Sequence, residues 1–248
     1  MPSHPPAQAA AAPQVLREDR QGVCTLTLNR PDKHNAVTPE LFTELHEHLL
    51  ALQAGGDGIG VVVLRGAGRS FCAGHDLAAV GQMTLEWLRH ESRTLELFSS
   101  LPQIVIAAVH GHCITGGLEL ALAADLIVAA ESARFADTHG RYGLVAAWGL
   151  TQRLPRRVGR AKALELITTS ARIDGREAER IGLANRCVPD AELDAELARL
   201  SAAILANSAH SNAAHKRLMT ETDGMSLASG LAHEQFRSPG SKRRDPGA

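Results

Sequence analysis

Three short runs of apolar residues, rich in β-branched side chains, constrain the fold of this chain most strongly. They cover residues 61–64, 104–109 and 126–128, and helix-forming stretches follow the first two. Apolar runs of this length, bounded by glycine-containing turns, are typical of strands buried on both faces. Helices alternating with such strands are needed to cover the two faces of a sheet. Together with an alternating run at 23–28, the pattern predicts an α/β protein.

The segment after residue 37 carries the start and stop signals of an amphipathic helix. Thr38 is a favourable N-cap residue, and Pro39 takes the first helical position, where an N–H group is not needed. Apolar residues then recur every three or four positions, as one buried face of a helix requires: Leu41, Leu45, Leu49 and Leu52. The sequence predicts that this helix ends at Gly55.

The last third of the chain is predicted to be helical. Asp174 and Glu177 have the capping-box spacing that opens a helix. Asp190 is expected to cap a second helix, and a third is expected over about 212–222. We predict three parts along the chain: a disordered tail at 1–13, a core at 14–195, and a helical C-terminal segment at 196–248 with a disordered end.

Composition and charge exclude several classes of protein. The 248 residues are 44% hydrophobic and 21% charged, which is the composition of a globular protein. Lys and Arg number 26 against 27 Asp and Glu, and aromatic residues make up 3%, so no nucleic-acid partner is expected. Neither an apolar run of 18 residues nor a secretion signal is present, so we expect a cytoplasmic protein without a membrane partner. The four cysteines lack C-x-x-C spacing and are expected to be reduced thiols.

The glycine-rich and histidine-rich segments lack the motifs of common cofactor sites. The glycines at 66 and 68 are not followed by the third glycine of a dinucleotide-binding fingerprint, and neither a P-loop nor a G-x-S-x-G elbow is present. Two H-x-H pairs, at 46–48 and 110–112, have no third ligand at metal-site spacing. We therefore expect neither a metal nor a cofactor.

Two turns that follow predicted strands bring small residues and polar groups to the end of the sheet. The first covers residues 70–77 and the second 109–120, where Gly116 and Gly117 open a helix. Free N–H groups and the helix dipole favour a negatively charged atom there. Glu119 lies on the first turn of that helix, where its carboxylate can flank an oxyanion held by the Gly116 amide. The same spacing also fits a tight strand–helix turn in which Glu119 is only a favourable charge.

The stretch 78–100, which lies between these turns, has a helical pattern with uncertain limits. Its large apolar residues could line a ligand pocket or belong to the core: Trp87, Leu88, Leu95 and Leu97. Their periodicity favours the core.

The two turns belong to a series of motifs that resembles one protein family. Residues 28–36 read L-N-R-P-D-K-H-N-A and residues 71–77 read F-C-A-G-H-D-L, and both are similar to signatures of the crotonase superfamily of enoyl-CoA hydratases and isomerases. The segments 109–125 and 135–154 continue the similarity, which spans about residues 14–190. The resemblance implies an α/β fold built as a crotonase-like spiral of ββα units with helical C-terminal segments. It also implies an acyl-CoA site in the core and assembly as a homotrimer or a dimer of trimers.

The resemblance further implies which residues form the site. Two backbone amides, of His75 and Gly116, would make an oxyanion hole for the thioester oxygen. The residues expected to bind the acyl-CoA substrate, with the first three near the nucleotide end of CoA, are Lys33, His34, Ala36, Ala73, Asp76, Leu77 and Ala78. Hydratases of this family use two glutamates. The first position matches Glu119, whereas the second holds His139, since 135–139 read F-A-D-T-H.

The function implied is an enoyl-CoA hydratase, a lyase that adds water to a 2-enoyl-CoA in fatty-acid or related acyl-CoA metabolism. Glu119 would be the acid–base group on water, and His139 would be the second proton-handling group, because imidazole exchanges protons near neutral pH. The missing second carboxylate argues against double-bond isomerisation.

Two alternatives stay open. Some family decarboxylases of malonyl-type thioesters also carry A-G-H-D, found here at 73–76, and a catalytically silent acyl-CoA-binding protein would need neither side chain.

Overall fold

The computed structural model describes residues 12–76, 78 and 84–240, which fold around two β-sheets. The strands within these ranges are β1 (Val15–Arg20), β2 (Val23–Leu28), β3 (Val61–Gly66), β4 (Ile104–Val109), β5 (His112–Ile114), β6 (Leu126–Ala130), β7 (Arg134–Ala136), β8 (Ile173–Asp174) and β9 (Arg186–Val188). The larger sheet has the order β1-β2-β3-β4-β6-β9. In it β1 is antiparallel to β2, and the other neighbouring strands are parallel.

Nine α-helices lie in the described ranges and cover these sheets. They are α1 (Pro39–Ala54), α2 (Leu85–Ser100), α3 (Gly116–Leu122), α4 (Leu150–Val158), α5 (Arg160–Thr169), α6 (Gly175–Arg180), α7 (Leu193–Leu205), α8 (Ala209–Glu221) and α9 (Leu227–Arg237). The predicted start of α1 is confirmed, because Thr38 Oγ1 accepts a hydrogen bond from Leu41 N at 3.3 Å. The cap of α6 is confirmed in the same way, since the Asp174 carboxylate accepts from Glu177 N at 2.9 Å.

The chain repeatedly passes from the larger sheet to a smaller one before it forms a helix. The smaller sheet has the order β5-β7-β8, with β5 parallel to β7 and β7 antiparallel to β8. β4 leads into β5 and then α3, and β6 leads into β7 and then α4. These are the ββα units that the resemblance implies, and the α/β prediction is confirmed.

The larger sheet is buried on both faces, as its continuous apolar strands require. In β3, Val62 and Leu64 belong to a core shared with α1, α2 and α3. Val61 and Val63 point to the opposite face and pack in a cluster that contains Leu193 and Leu197. Burying each such side chain stabilises the fold by about 1.5–3 kcal/mol. Helix α7, which crosses the predicted boundary at residue 195, is therefore part of the covering of the sheet.

Several elements differ from the sequence predictions for local reasons. β1 was not predicted because its last four residues are polar and it pairs only at the edge of the sheet. Asp190 does not cap α7. It begins a 3-10 turn, and its carboxylate instead accepts from Ser132 N at 3.0 Å. Helix α8 begins before residue 212, at Ala209, because the hydroxyl of Ser208 caps it by accepting from Ser211 N.

The remaining sequence predictions concern the termini, the cysteines and the membrane. The predicted tail at 1–13 falls mostly, and the end at 241–248 entirely, outside the described residues. Within the described ranges the four cysteines are free thiols, and no helix is both long and apolar enough to cross a bilayer.

Candidate active site

Main-chain hydrogen bonds bring the two glycine-containing turns together at the end of the larger sheet. Cys72 N donates to His112 O at 2.8 Å, and Ile114 N donates to Cys72 O at 3.0 Å, so that the turns run side by side. The first turn is also fixed from its other side, because Val37 N donates to Gly74 O and Asp76 N donates to Val37 O. The backbone around His75 is therefore held between two neighbouring segments.

Two glycines allow this close approach. Gly117 contacts the first turn so closely that an added Cβ would lie 2.2 Å from Cys72 O. Gly74 has φ +92°, a conformation that favours glycine, and a Cβ there would lie 3.2 Å from Gly116 N. The amides of His75 and Gly116 are thus close together, and neither donates a hydrogen bond to a backbone carbonyl in the described part of the chain.

The residue before Gly116 holds a strained backbone conformation. Thr115 has φ +54° and ψ −111°, which a β-branched residue seldom adopts. Its N–H donates to Ala136 O at 2.9 Å, and its hydroxyl lies 2.6 Å from the hydroxyl of Thr138. Strain of this kind costs about 1–3 kcal/mol and persists where surrounding contacts enforce it. Here those contacts fix the direction of the peptide that carries Gly116 N.

A cavity of about 660 Å³ opens over these amides. His75 and Thr115 line it together with Glu119 and His139. Apolar side chains complete the wall: Leu88, Ile114, Leu144, Val145, Ala147 and Trp148. Three exposed cationic side chains also line it: Lys33, Arg141 and Arg172. The cavity therefore combines an apolar wall, paired amides, two ionisable groups and positive charge.

Glu119 is buried and lines this cavity, with a side chain 2% exposed. Its Oε1 accepts hydrogen bonds from Trp148 N at 2.8 Å and Leu150 N at 3.2 Å, at the start of α4. Oε2 faces His139 Nε2 at 3.7 Å. Burial raises the pKa of Glu119 above its usual value, against the opposing effects of His139 and the two N–H donors. One oxygen of the carboxylate is thus fixed, and the other faces the histidine.

His139 is oriented by a second carboxylate that the sequence analysis did not identify. His139 Nδ1 donates to Asp137 Oδ1 at 2.6 Å, and the His139 backbone N–H reaches the same oxygen at 3.3 Å. Burial lowers the pKa of His139, but the hydrogen bond that it donates to Asp137 and the charge of Glu119 outweigh burial and raise the pKa overall. The D-x-H spacing at 137–139 is the sequence signal for this pair.

The structure brings most, but not all, of the predicted CoA-contacting residues into the cavity wall. Lys33, Ala36, Ala73 and Asp76 line the cavity. The Arg30 guanidinium, 3.0 Å from the Asp76 carboxylate, lowers the pKa of Asp76.

Two predicted contacts, His34 and Ala78, stand apart from the described cavity wall. His34 supports the turn instead, because its carbonyl accepts from Ala73 N and its Nδ1 lies 2.9 Å from Ser70 Oγ. Ala78 is exposed, and its N–H donates to Asp76 Oδ1. Leu77 lies outside the described residues.

The segment 84–100 divides between cavity and core. Leu88 lines the cavity, Leu95 is buried in the core, and Trp87 and Leu97 pack against that core. The periodicity therefore identified the core correctly for three of these four residues. Within the described ranges, no group of three or more His, Cys, Asp or Glu side chains could hold a metal ion.

Comparison with known proteins agrees with this architecture. The model of the enoyl-CoA hydratase/isomerase family matches residues 18–242. YngF of Bacillus subtilis, named for that family, is 38% identical over 215 residues, which cover 85% of this chain and 82% of YngF. The enoyl-CoA hydratase of Bacillus anthracis is 33% identical and has a TM-score of 0.85, with 90% of this chain and 89% of that chain covered.

A second solved structure holds a ligand. It is a Thermobifida fusca protein of the enoyl-CoA hydratase type in complex with acetoacetyl-CoA, 30% identical with a TM-score of 0.85, and the match covers 92% of this chain and 94% of the other. The family match covers most of the sequence, and the folds agree along nearly their whole length. The chain belongs to the enoyl-CoA hydratase/isomerase family of the crotonase superfamily.

Proposed function

We propose that this protein is an enoyl-CoA hydratase that adds water to the double bond of a 2-enoyl-CoA thioester. One observation carries the proposal. Glu119 Oε2 and His139 Nε2 lie 3.7 Å apart in one cavity, beside the amides of His75 and Gly116, which donate to no backbone carbonyl of the described residues. Hydration needs a base that removes a proton from water and an acid that protonates the α-carbon. It also needs hydrogen-bond donors that stabilise the enolate oxygen. The acetoacetyl-CoA bound to the Thermobifida fusca relative supports an acyl-CoA substrate.

The paired amides would stabilise the charge that develops during addition. When water attacks the β-carbon, electrons move to the thioester oxygen, which becomes an enolate oxygen. Two fixed N–H donors, from His75 and Gly116, would stabilise that oxygen by several kcal/mol, because they need no reorganisation during the reaction. The exposed Lys33, Arg141 and Arg172 at the cavity offer charge for CoA phosphates. The reaction requires no cofactor beyond the CoA of the substrate.

The two ionisable side chains would divide the proton transfers. The Glu119 carboxylate accepts a proton from water as the new C–O bond forms, and the imidazolium of His139 donates its Nε2 proton to the α-carbon. The Asp137 carboxylate on Nδ1 leaves Nε2–H directed toward the cavity and stabilises the charged ring. After the product leaves, Glu119 and His139 are close enough for a proton to return to the histidine, which restores the starting state.

The proposal is tested by the loss of the conjugated enoyl-thioester absorbance with crotonyl-CoA. The parent protein is expected to turn over, and His139→Ala is expected to lose about two decades in kcat. Release of carbon dioxide from a malonyl-type thioester, which leaves the shortened acyl-CoA, without hydration, would favour the decarboxylase alternative. Acyl-CoA binding without any turnover would identify a silent binding protein. An unchanged kcat in His139→Ala would show that the histidine is only part of the wall.

The pH dependence of hydration gives an independent test through Asp137→Asn. His139 must be protonated, so activity is present below its raised pKa and is lost as the pH rises through it. Glu119 must be ionised, so activity also falls at low pH, where the raised pKa of this carboxyl group is crossed. Asp137→Asn removes a group that raises the pKa of His139. The alkaline limb of kcat/KM is expected to move to lower pH, with a loss of about tenfold or more at neutral pH. An alkaline limb that stays in place would contradict this assignment.

We also propose that the protein assembles as a homotrimer or a dimer of trimers. Helix α9 has no buried residue, and large apolar side chains are exposed on the last two helices: Met219, Leu227, Leu231 and Phe236. An apolar surface of this kind is typical of a contact with another chain. Sedimentation equilibrium is expected to give three or six copies, and Leu227→Glu with Leu231→Glu is expected to reduce the mass. A monomer at all concentrations would contradict the proposal.

A further inference from the structure

A buried carboxylate on α2 takes no part in the chemistry described above. Glu91 is fully buried, and its two oxygens accept three side-chain donors. Trp87 Nε1 lies 2.7 Å from Oε1, Trp148 Nε1 lies 3.1 Å from Oε2, and His75 Nε2 lies 3.0 and 3.2 Å from the two oxygens. Removing a carboxylate from water is costly unless such partners compensate. The arrangement therefore fixes the orientation of all three rings.

Two of those rings lie at the oxyanion hole. His75 and Trp148 have ring centroids 4.3 Å apart, and Phe42 also packs against the indole, with its ring centroid at 4.8 Å. The indole also contacts Gly116 so closely that an added Cβ would lie 2.8 Å from Trp148 Cζ3. Trp148 is thus confined by an aromatic ring, a histidine, a glycine backbone and a hydrogen bond at its nitrogen, and it has little freedom to move.

The location of this ring bears on which acyl groups fit. A thioester oxygen bound by His75 N and Gly116 N places the first carbons of the acyl chain beside the hole. The indole of Trp148 fills the space immediately behind Gly116, so an acyl chain cannot extend in that direction. We propose that Trp148 is a specificity-determining residue that closes the inner end of the cavity and selects short acyl chains, and that Glu91 is the positioning residue that holds it. This inference rests on the proposed function.

The first test compares hydration of but-2-enoyl-CoA and dec-2-enoyl-CoA. The parent is expected to prefer the shorter substrate, and Trp148→Ala is expected to raise the ratio of kcat/KM for the longer substrate over the shorter by about tenfold or more, since a few methylenes change this ratio strongly. Glu91→Gln is expected to move the ratio in the same direction, and Glu91→Ala to move it further. A general loss of stability lowers both rates but leaves their ratio unchanged.

Trp87→Phe is the matched control. Trp87 also donates its indole N–H to Glu91, but it does not line the cavity. Trp87→Phe is expected to change the ratio of kcat/KM for the longer over the shorter substrate by less than about twofold, because it removes one hydrogen bond to Glu91 outside the cavity wall. An equal change in Trp87→Phe and Trp148→Ala would overturn the proposal, as would a ratio that Trp148→Ala leaves unchanged. If Trp148→Ala does not fold, Trp148→Leu replaces it, with the same expected direction.

Binding measurements separate this inference from the proposed reaction. Calorimetric titration with butanoyl-CoA and decanoyl-CoA requires no turnover, and Trp148→Ala is expected to strengthen binding of the longer ligand relative to the shorter.

Because the sequence contains two tryptophans, Trp87→Phe leaves Trp148 as the only tryptophan that reports by fluorescence. Butanoyl-CoA is expected to change its emission more than CoA alone does. A parent that hydrates nothing but shows these binding results would refute the hydratase and retain the specificity residue. Equal emission changes with CoA and butanoyl-CoA would refute the contact.

Discussion

Glu119→Gln is expected to lower kcat for hydration by about 10²- to 10⁴-fold, the usual contribution of a positioned acid–base group. Glutamine has nearly the shape of glutamate, and its carbonyl oxygen can still accept the hydrogen bonds from Trp148 N and Leu150 N. It cannot remove a proton from water. We therefore expect the binding constant of a saturated acyl-CoA to change little while the rate of loss of enoyl-thioester absorbance collapses.

Glu44, which lies away from the cavity, provides the control for Glu119→Gln. Glu44 also accepts two backbone hydrogen bonds, from Gln14 N at 2.7 Å and Val15 N at 2.8 Å, but it does not line the cavity. Glu44→Gln is expected to leave kcat within about twofold of the parent value, as surface substitutions away from a site usually do. A Glu119→Gln protein with the activity of Glu44→Gln would show that Glu119 serves only to cap the start of α4.

Gly117→Ala is expected to lower the free energy of unfolding by about 3 kcal/mol, at the upper end of the range for overpacked cores. The added methyl group would lie 2.2 Å from Cys72 O and 3.0 Å from Cys72 Cβ, and the first of these is a backbone atom that cannot rotate away. The two turns must separate to admit it. Because the separation also moves the amides of His75 and Gly116 apart, we expect hydration to fall together with stability.

Gly140→Ala is the control for this change in stability. Gly140 has no atom within 4 Å of an added Cβ, so substitution there is expected to change the unfolding free energy by less than about 0.5 kcal/mol. Denaturant titration of both variants at one protein concentration, followed by far-ultraviolet circular dichroism, gives the comparison. Equal midpoints for the two alanine variants would mean that the turns can separate without cost.

The sequence predicted those elements whose signals are local. Helix α1 was predicted from Thr38 to Gly55 because its cap, its buried leucines and its terminating glycine all lie within one segment. Strand β5 was not predicted, because three residues are too few to show a periodic pattern. The strand is defined by its pairing with β7, which follows more than twenty residues later. The residues of an element that depends on a distant partner carry little sequence signal of their own for that element.

The candidate site shows the same division. Gly116 and Glu119 were singled out from a glycine pair at a helix start, and His75 and His139 followed from the family resemblance. Glu91 was not identified, because nothing near it in the sequence indicates that its partners come from α2, from the first turn and from the segment before α4. A buried carboxylate is recognisable only once the fold supplies its three donors.

Trp148 has separate backbone and side-chain roles, and this separation bears on how the family diversifies. Its backbone N–H holds Glu119, whereas its indole packs against Gly116 and lines the cavity. Any amino acid except proline retains that N–H, so the size of the wall can change by single substitutions while the carboxylate stays anchored. Under the proposed roles of Trp148 and Glu119, substitutions at this position would change the range of acyl chains that fit while the proposed base stays in place. Proline at 148 would remove both the N–H that holds Glu119 and the indole that packs against Gly116.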